Sequence, residues 1–257
     1  MIRPYILAET NWKALKDMRF EVAVLPWGAT EAHNYHLPYG TDNIEADALA
    51  AAAAAYAWER GGKVVVLPAI PFGVNTGQSD IYLDINLNPS TQLAILDDIA
   101  ATLSRQGLRK LVVFNSHGGN NFQALLRELG LRYPNLLICL TEWFRALDRS
   151  QYDLAPGDHA DEAETSLLLH LRPELVLPRA EWGSGASKRF KIKGLREGWA
   201  WSERKWSQAT VDTGVGDPSR ASAEKGRLMA GALAEQIGSF FLDLCQADPD
   251  DLYEAAP

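Results

Sequence analysis

Glu31-Ala32-His33 sets a carboxylate and an imidazole two residues apart, and Asp42 follows nine residues after the histidine. In an extended segment residues i and i+2 project to the same side, so Glu31 and His33 can address one point. Two carboxylates and an imidazole converging there suit a mixed nitrogen and oxygen metal site. Each group also has a plainer use. Asp42-Asn43-Ile44-Glu45 has the Asp-x-x-Glu form of a helix capping box, and Glu31 and His36 can be solvated loop residues. Three metal-type side chains in the twelve residues from 31 to 42 favour the shared site over separate explanations.

A second signal is Asn115-Ser116-His117-Gly118-Gly119-Asn120-Asn121. Two glycines after a histidine let the backbone approach something closely or take positive φ, and a nearby helix start offers free N–H groups to an anion. A plain strand-to-helix turn with Asn as its cap is the alternative. The third signal is Asp158-His159-Ala160-Asp161-Glu162-Ala163-Glu164-Thr165. Four acids and a histidine this close repel one another unless solvated, capping a helix or bound to metal; an acidic first helical turn is the ordinary reading. His159 is suited to hydrogen-bond substrate or protonate a leaving group, with Glu162 to orient it. His170 lies six residues beyond Glu164, about 240° round a helix, and reads as structural.

The elements that must position these residues alternate. Residues 21–26, 63–68, 109–114 and 136–140 are short apolar runs that read as buried strands. Between and after them, helices are expected over 43–60, 90–106, 122–129, 160–171 and 219–246, the first two stopped by Gly61-Gly62 and Gly107. This predicts a three-layer α/β/α fold with a mainly parallel sheet. Ligands then collect at the carboxyl ends of the strands, where the polar loops 27–42, 73–89 and 115–121 lie. Residues 181–206 carry Trp182, Trp199, Trp201 and Trp206, four of the eight tryptophans. That stretch is a loop packed by its own aromatics, a lid or a subunit contact, and the sequence does not choose.

The 257 residues show no linker, so one domain over 1–257 is expected. The net charge of -8, with no basic stripe, argues against nucleic acid. Cys139 and Cys245 are too far apart for a zinc knuckle and give no disulfide framework. The alanine run 48–55 is too short to span a bilayer, and residues 1–12 lack an apolar signal stretch. A cytoplasmic protein with no membrane partner is therefore expected.

Four ordered stretches resemble the creatininase (creatinine amidohydrolase) family: Gly28-Ala29-Thr30-Glu31-Ala32-His33 with His36-Leu37-Pro38 and Gly40-Thr41-Asp42; Asn115 to Asn120; His159-Ala160 with Glu162-Ala163-Glu164-Thr165-Ser166; and Gly214-Val215-Gly216-Asp217-Pro218 with Ala221-Ser222-Ala223-Glu224-Lys225-Gly226. The resemblance covers roughly residues 20–230. It implies an α/β/α fold, two metal ions, hydrolytic chemistry and a homo-oligomer, with a hexamer as one size. By the family pattern Glu31 and His117 hold one metal, His33 the other, and Asp42 bridges. Creatininase has a glutamate two residues after the histidine matching His117; here that position is Gly119, and Glu164 is the candidate replacement. Many relatives carry a Ser and then a Glu-His pair after the second strand, where this chain reads Gly73-Val74-Asn75-Thr76-Gly77-Gln78-Ser79-Asp80. That difference argues against creatinine as substrate.

The expected function is hydrolysis of a C–N bond in a cyclic or non-peptide amide by hydroxide generated at two divalent metals. Without thiolate ligands, zinc, manganese and iron(II) all fit. The Gly118-Gly119 turn would help stabilise the oxyanion, and His36, Asn75 and Gln78 would contact a small-molecule substrate. The runner-up is opening of a cyclic polyol ketone such as an inositol-derived one, favoured by the polar side chains of loop 73–89. A non-catalytic metal- or ligand-binding protein is the reading from another class, supported by Gly119.

Overall fold

The computed structural model describes residues 2–254; the ends of the expected single domain over 1–257 lie outside them. Strands β1 (Val22–Trp27), β2 (Val64–Val66), β3 (Lys110–Asn115) and β4 (Leu137–Glu142) form one sheet in the order β2-β1-β3-β4. Every pairing is parallel. The side chains of Val22, Val24, Val64, Val66, Val112 and Phe114 point to one face, and those of Ala23, Leu25, Trp27, Val65, Leu111 and Val113 to the other. Both faces are apolar, which is why these strands read as continuous hydrophobic runs.

Five long helices cover the two faces. Helices α1 (Thr41–Glu59), α4 (Glu162–Leu171) and α5 (Ala223–Gln246) lie on the first. Helices α2 (Pro89–Arg105) and α3 (Phe122–Arg132) lie on the second. The fold is the expected α/β/α sandwich. Alanine-rich α1 lets α5 come close: a Cβ on Gly238 would stand 2.7 Å from the Ala53 carbonyl oxygen. By length and hydropathy α5 is able to cross a membrane, yet its Met229, Leu233, Ile237 and Phe241 stripe is buried in the core, packed mainly on α1 and α4.

Element boundaries shift by a few residues from the sequence expectation. Helix α1 starts at Thr41, not at 43, and its N-cap is Gly40 without a side-chain cap. The Asp42 carboxylate is therefore not a capping group. Beyond the main sheet, β5 (Gly157–His159) pairs antiparallel with β6 (Val215–Gly216). This ribbon ties the acidic segment before α4 to the glycine-rich 214–218 stretch. From there Thr213 reaches the first motif, donating its hydroxyl to the Ala32 carbonyl (3.2 Å) and accepting from the Asn34 N–H (2.9 Å).

Candidate metal centre and its cavity

At the carboxyl ends of β1 and β3 the chain gathers side chains that are distant in sequence. Glu31 and His33 come from the loop after β1, Asp42 from the first turn of α1, His117 from the turn after β3, and Glu164 from the first turn of α4. Glu31 and Asp42 are 1 % exposed and His33 is fully buried. One potential ligand atom each from Glu31, Asp42 and His117 lie within 4.8 Å of one another, and the same holds for His33, Asp42 and Glu164. Asp42 is common to both groups.

The imidazoles are held with one nitrogen turned inward. His33 donates Nδ1–H to the Glu31 carbonyl (3.1 Å), which leaves Nε2 at 3.0 Å from Asp42 Oδ1. His117 donates Nε2–H to the Val74 carbonyl (3.0 Å), and its Nδ1 lies 2.9 Å from Glu31 Oε1 and 3.0 Å from Asp42 Oδ2. Backbone carbonyls that fix ring orientation are the usual supports of metal-binding histidines. Burial pushes His33 down, but Asp42, with Glu31 and Glu164 behind it, outweighs burial and lifts it to about 10. Burial raises Glu164 to about 8, with the His33 charge opposing. Burial also works upward on Asp42, and the His33 and His117 charges override it and hold the carboxyl well below its usual range.

Divalent cations fit this donor set. Glu31 Oε1 and Asp42 Oδ2 are buried acceptors with no hydrogen-bond partner, a costly state unless a positive group faces them. Oxygen and imidazole donors without thiolate suit zinc, manganese or iron(II).

Gly119 also finds its explanation here. A Cβ on it would stand 2.4 Å from both His117 Nε2 and the Val74 carbonyl oxygen. No side chain fits at 119 while His117 holds this hydrogen bond, and the carboxylate beside His33 and Asp42 comes from α4 instead. Glu164 itself accepts from the Ala160 N–H, at a residue with φ of 47°. The N-cap of α4 is Asp161, which accepts from Ala163 and Glu164 N–H at 2.8 and 3.2 Å. The acidic run thus divides its labour: Asp161 caps, and Glu164 turns into the site.

Other expected site residues are placed as follows. His159 donates Nε2–H to the Ala32 carbonyl (2.8 Å), lies tilted against the His33 ring with centroids 4.2 Å apart, and keeps Nδ1 at 3.7 Å from Glu31 Oε1. Burial and the His33 charge hold its pKa down. Glu162 does not orient His159: it is fully buried beneath α4, where it accepts from Lys225 and from the Ala155 N–H (2.8 Å). The expectation fails because Glu162 and His159 leave the helix start in different directions. His36 is likewise no substrate contact. Its Nε2 bonds the Thr165 hydroxyl (2.9 Å) and its ring stacks on Trp182 at 4.6 Å, so it joins the first loop to α4. Asn75 borders the cavity but donates to the Thr30 and Ile85 carbonyls (3.2 and 3.3 Å), bracing the loop. Gln78 donates to Glu31 Oε2. Gly118 and Gly119 line the cavity, and His170, read as structural, is exposed on α4.

The cluster opens into a cavity of about 920 Å³. Residues after β3 and β4 form one side of it, and Phe190, Leu195, Trp201, Glu203, Arg204 and Trp206 from the tryptophan-rich segment form another. Trp206 meets the His159 ring edge-on at 4.6 Å. The segment is pinned to the loops around the site by Arg204 on Asp158 (3.0 and 2.7 Å) and by Thr76 donating to Glu203. Sequence reasoning named Trp206 and Lys225 only within longer stretches, without a role for either, and missed Asp84. Asp84 Oδ1 accepts from the Ala32 N–H (2.7 Å) between the two Glu31 and His33 ligands, and burial lifts its carboxyl to about 7. The one signal was an acid set between Leu83 and Ile85, too ordinary to single out.

A parallel α/β/α sandwich with a buried carboxylate–histidine cluster at the carboxyl edge of its sheet defines an enzyme scaffold with a candidate metal centre. The family model for creatinine amidohydrolase matches residues 8–241. The chain belongs to the creatininase family, whose members are metal-dependent hydrolases. It is 30% identical to the mycofactocin precursor peptide peptidase of Mycobacterium tuberculosis strain H37Rv, over 82% of this chain and 81% of the relative. It is 29% identical to the creatinine amidohydrolase of Pseudomonas putida, over 68% of this chain and 75% of the relative. A solved Bacteroides fragilis chain, provisionally described as a creatinine amidohydrolase, superimposes with a TM-score of 0.92 at 43% identity, covering 99% of this chain and 100% of that one. A manganese form of creatininase shares the fold at a TM-score of 0.73 and 21% identity, covering 93% and 98%.

Proposed function

We propose that this chain is a binuclear amidohydrolase that cleaves a C–N bond in an amide larger than creatinine. The observation that carries the reading is the pair of ligand groups, Glu31–Asp42–His117 and His33–Asp42–Glu164, that share Asp42. Two divalent ions bound there would supply an activated water and polarise the scissile carbonyl. Glu31, Asp42 and His117 would hold one ion, and His33, Asp42 and Glu164 the other.

His159 is the proton carrier. Its neutral ring presents Nδ1 to the cluster while Nε2–H is occupied by Ala32. Nδ1 accepts the proton that the attacking water loses and returns it to the departing nitrogen, which must leave as an amine. Gly118 and Gly119 line the cavity, and their backbone N–H groups would support the developing oxyanion. Trp206 covers His159 and keeps bulk water from its ring.

Size favours a larger substrate. A five-membered ring fills a small part of a cavity of about 920 Å³, which has the dimensions of sites for drug-sized ligands. The 30% identity to a peptide peptidase widens the expected preference for cyclic and non-peptide amides to short peptide amides. The test is Asp42→Ala, with metal measured by elemental analysis beside turnover on a panel of lactams, simple amides and short peptides. Two metals per chain and amine release in the wild type, both lost in the variant, are the expected result. Release of acid without amine would favour the cyclic ketone reading, and two bound metals with no turnover the non-catalytic one.

A further inference from the structure

Glu31 stands in the ligand group with Asp42 and His117 and in a further one with His33 and His159, so the direction of its carboxylate matters to the whole cluster. The protein treats its two oxygens differently. Oε2 accepts from the side-chain amide of Gln78. Oε1 has no hydrogen-bond partner and lies 2.9 Å from His117 Nδ1, 3.8 Å from His33 Nε2 and 3.7 Å from His159 Nδ1. A carboxylate only accepts, so the Gln78 amide must present its nitrogen here.

Gln78 is in a position to act as a fixed support. It is 2 % exposed and ends the short helical turn Thr76–Gln78. That turn is held from below by Asn75, through the Thr30 and Ile85 carbonyls. From above it is covered by the Arg204 carbonyl oxygen, which a Cβ on Gly77 would meet at 2.4 Å. The donor is also neutral. A lysine or arginine at 78 would take up the negative charge of Glu31, whereas an amide restricts the carboxylate and leaves its charge for a cation.

We infer that Gln78 is a positioning residue for Glu31: its amide N–H holds Oε2 and so aims Oε1 at the cations, in place of the substrate contact expected from the sequence. The inference rests on the binuclear reading above. Partners of this kind, one step removed from the metal, are worth about 10- to 100-fold in metal affinity.

The experiment is calorimetric titration of Mn²⁺ or Zn²⁺ into the chelator-stripped full chain. It compares wild type with Gln78→Met, which keeps the shape and loses the donor, and Gln78→Asn, which stays polar but falls short of Glu31. The expected result is two binding steps in the wild type. In both variants one step weakens about 10- to 100-fold, and the step served by His33, Asp42 and Glu164 is unchanged. Activity at saturating metal then recovers towards wild type. If Gln78→Met does not fold, as judged by circular dichroism, the Asn variant carries the test. Wild-type affinity in the variants would overturn the inference, as would equal weakening of both steps, or a raised KM with metal binding intact. A wild type that takes up no metal would instead defeat the binuclear reading itself.

Discussion

His36 shows how a histidine beside a metal cluster can serve the fold alone. Buried against Thr165 and Trp182, it is pushed down to about 4 by burial first and by the His33 charge second, with Asp212 pulling the other way. Its unfolded value is near 6.5. Between these values the unfolded chain binds the proton and the folded chain does not. The His36 contribution is thus complete above about pH 6.5 and is lost as pH falls towards 4, amounting to no more than about 3 kcal/mol. His36→Gln removes the titration. Denaturant unfolding of this variant should show a shallower loss of stability from pH 6.5 to 4 than wild type, and identical slopes would contradict the account. At this scale the sequence was legible where spacing implied geometry. Glu31, His33, Asp42 and His117 converge as their motifs suggested. Glu162 and His36 did not follow, because nothing in a linear motif says that Lys225 or Trp182 will claim them.

Elements decide what the residues can do. Glu164 reaches His33 and Asp42 because α4 starts at the carboxyl edge of the sheet, and α4 is seated there by α5. The contact is close: a Cβ on Gly226 of α5 would stand 1.9 Å from the Ser166 carbonyl oxygen, whereas Gly231 on the same helix has nothing within 4 Å. Gly226→Ala should therefore destabilise by about 1–3 kcal/mol through overpacking. Gly231→Ala should stabilise by about 0.5–1 kcal/mol, since a helix-interior glycine carries an entropic penalty. Thermal unfolding of the pair checks this, and a neutral Gly226→Ala would contradict the packing described. The strands and long helices could be read from apolar runs, glycine stops and periodicity. The β5–β6 ribbon and the wall built by residues 190–206 could not, because they depend on long-range contacts such as Arg204 on Asp158 and Thr213 on Ala32 that leave no local period.

At the scale of the whole molecule, we propose that exposed aromatic residues of the cavity wall meet a second copy of the chain. Trp199 and Trp201 are 75 % and 85 % exposed and Ile192 is 65 % exposed, all on the segment that walls the cavity. Grouped apolar side chains of this kind mark contact surfaces. A homo-oligomer is therefore expected in light scattering of the purified chain, and a monomer at micromolar concentration would contradict it. The substrate is not legible at any scale in the sequence alone, because the cavity is shaped by segments brought together only in the fold.

The most direct test of the central claim is anomalous diffraction from crystals of the protein grown with Mn²⁺ and measured above and below the manganese absorption edge. Two adjacent peaks are expected: one among Glu31, Asp42 and His117, and one among His33, Asp42 and Glu164, with Asp42 between them. A single peak outside these groups, or none at saturating Mn²⁺, would contradict it.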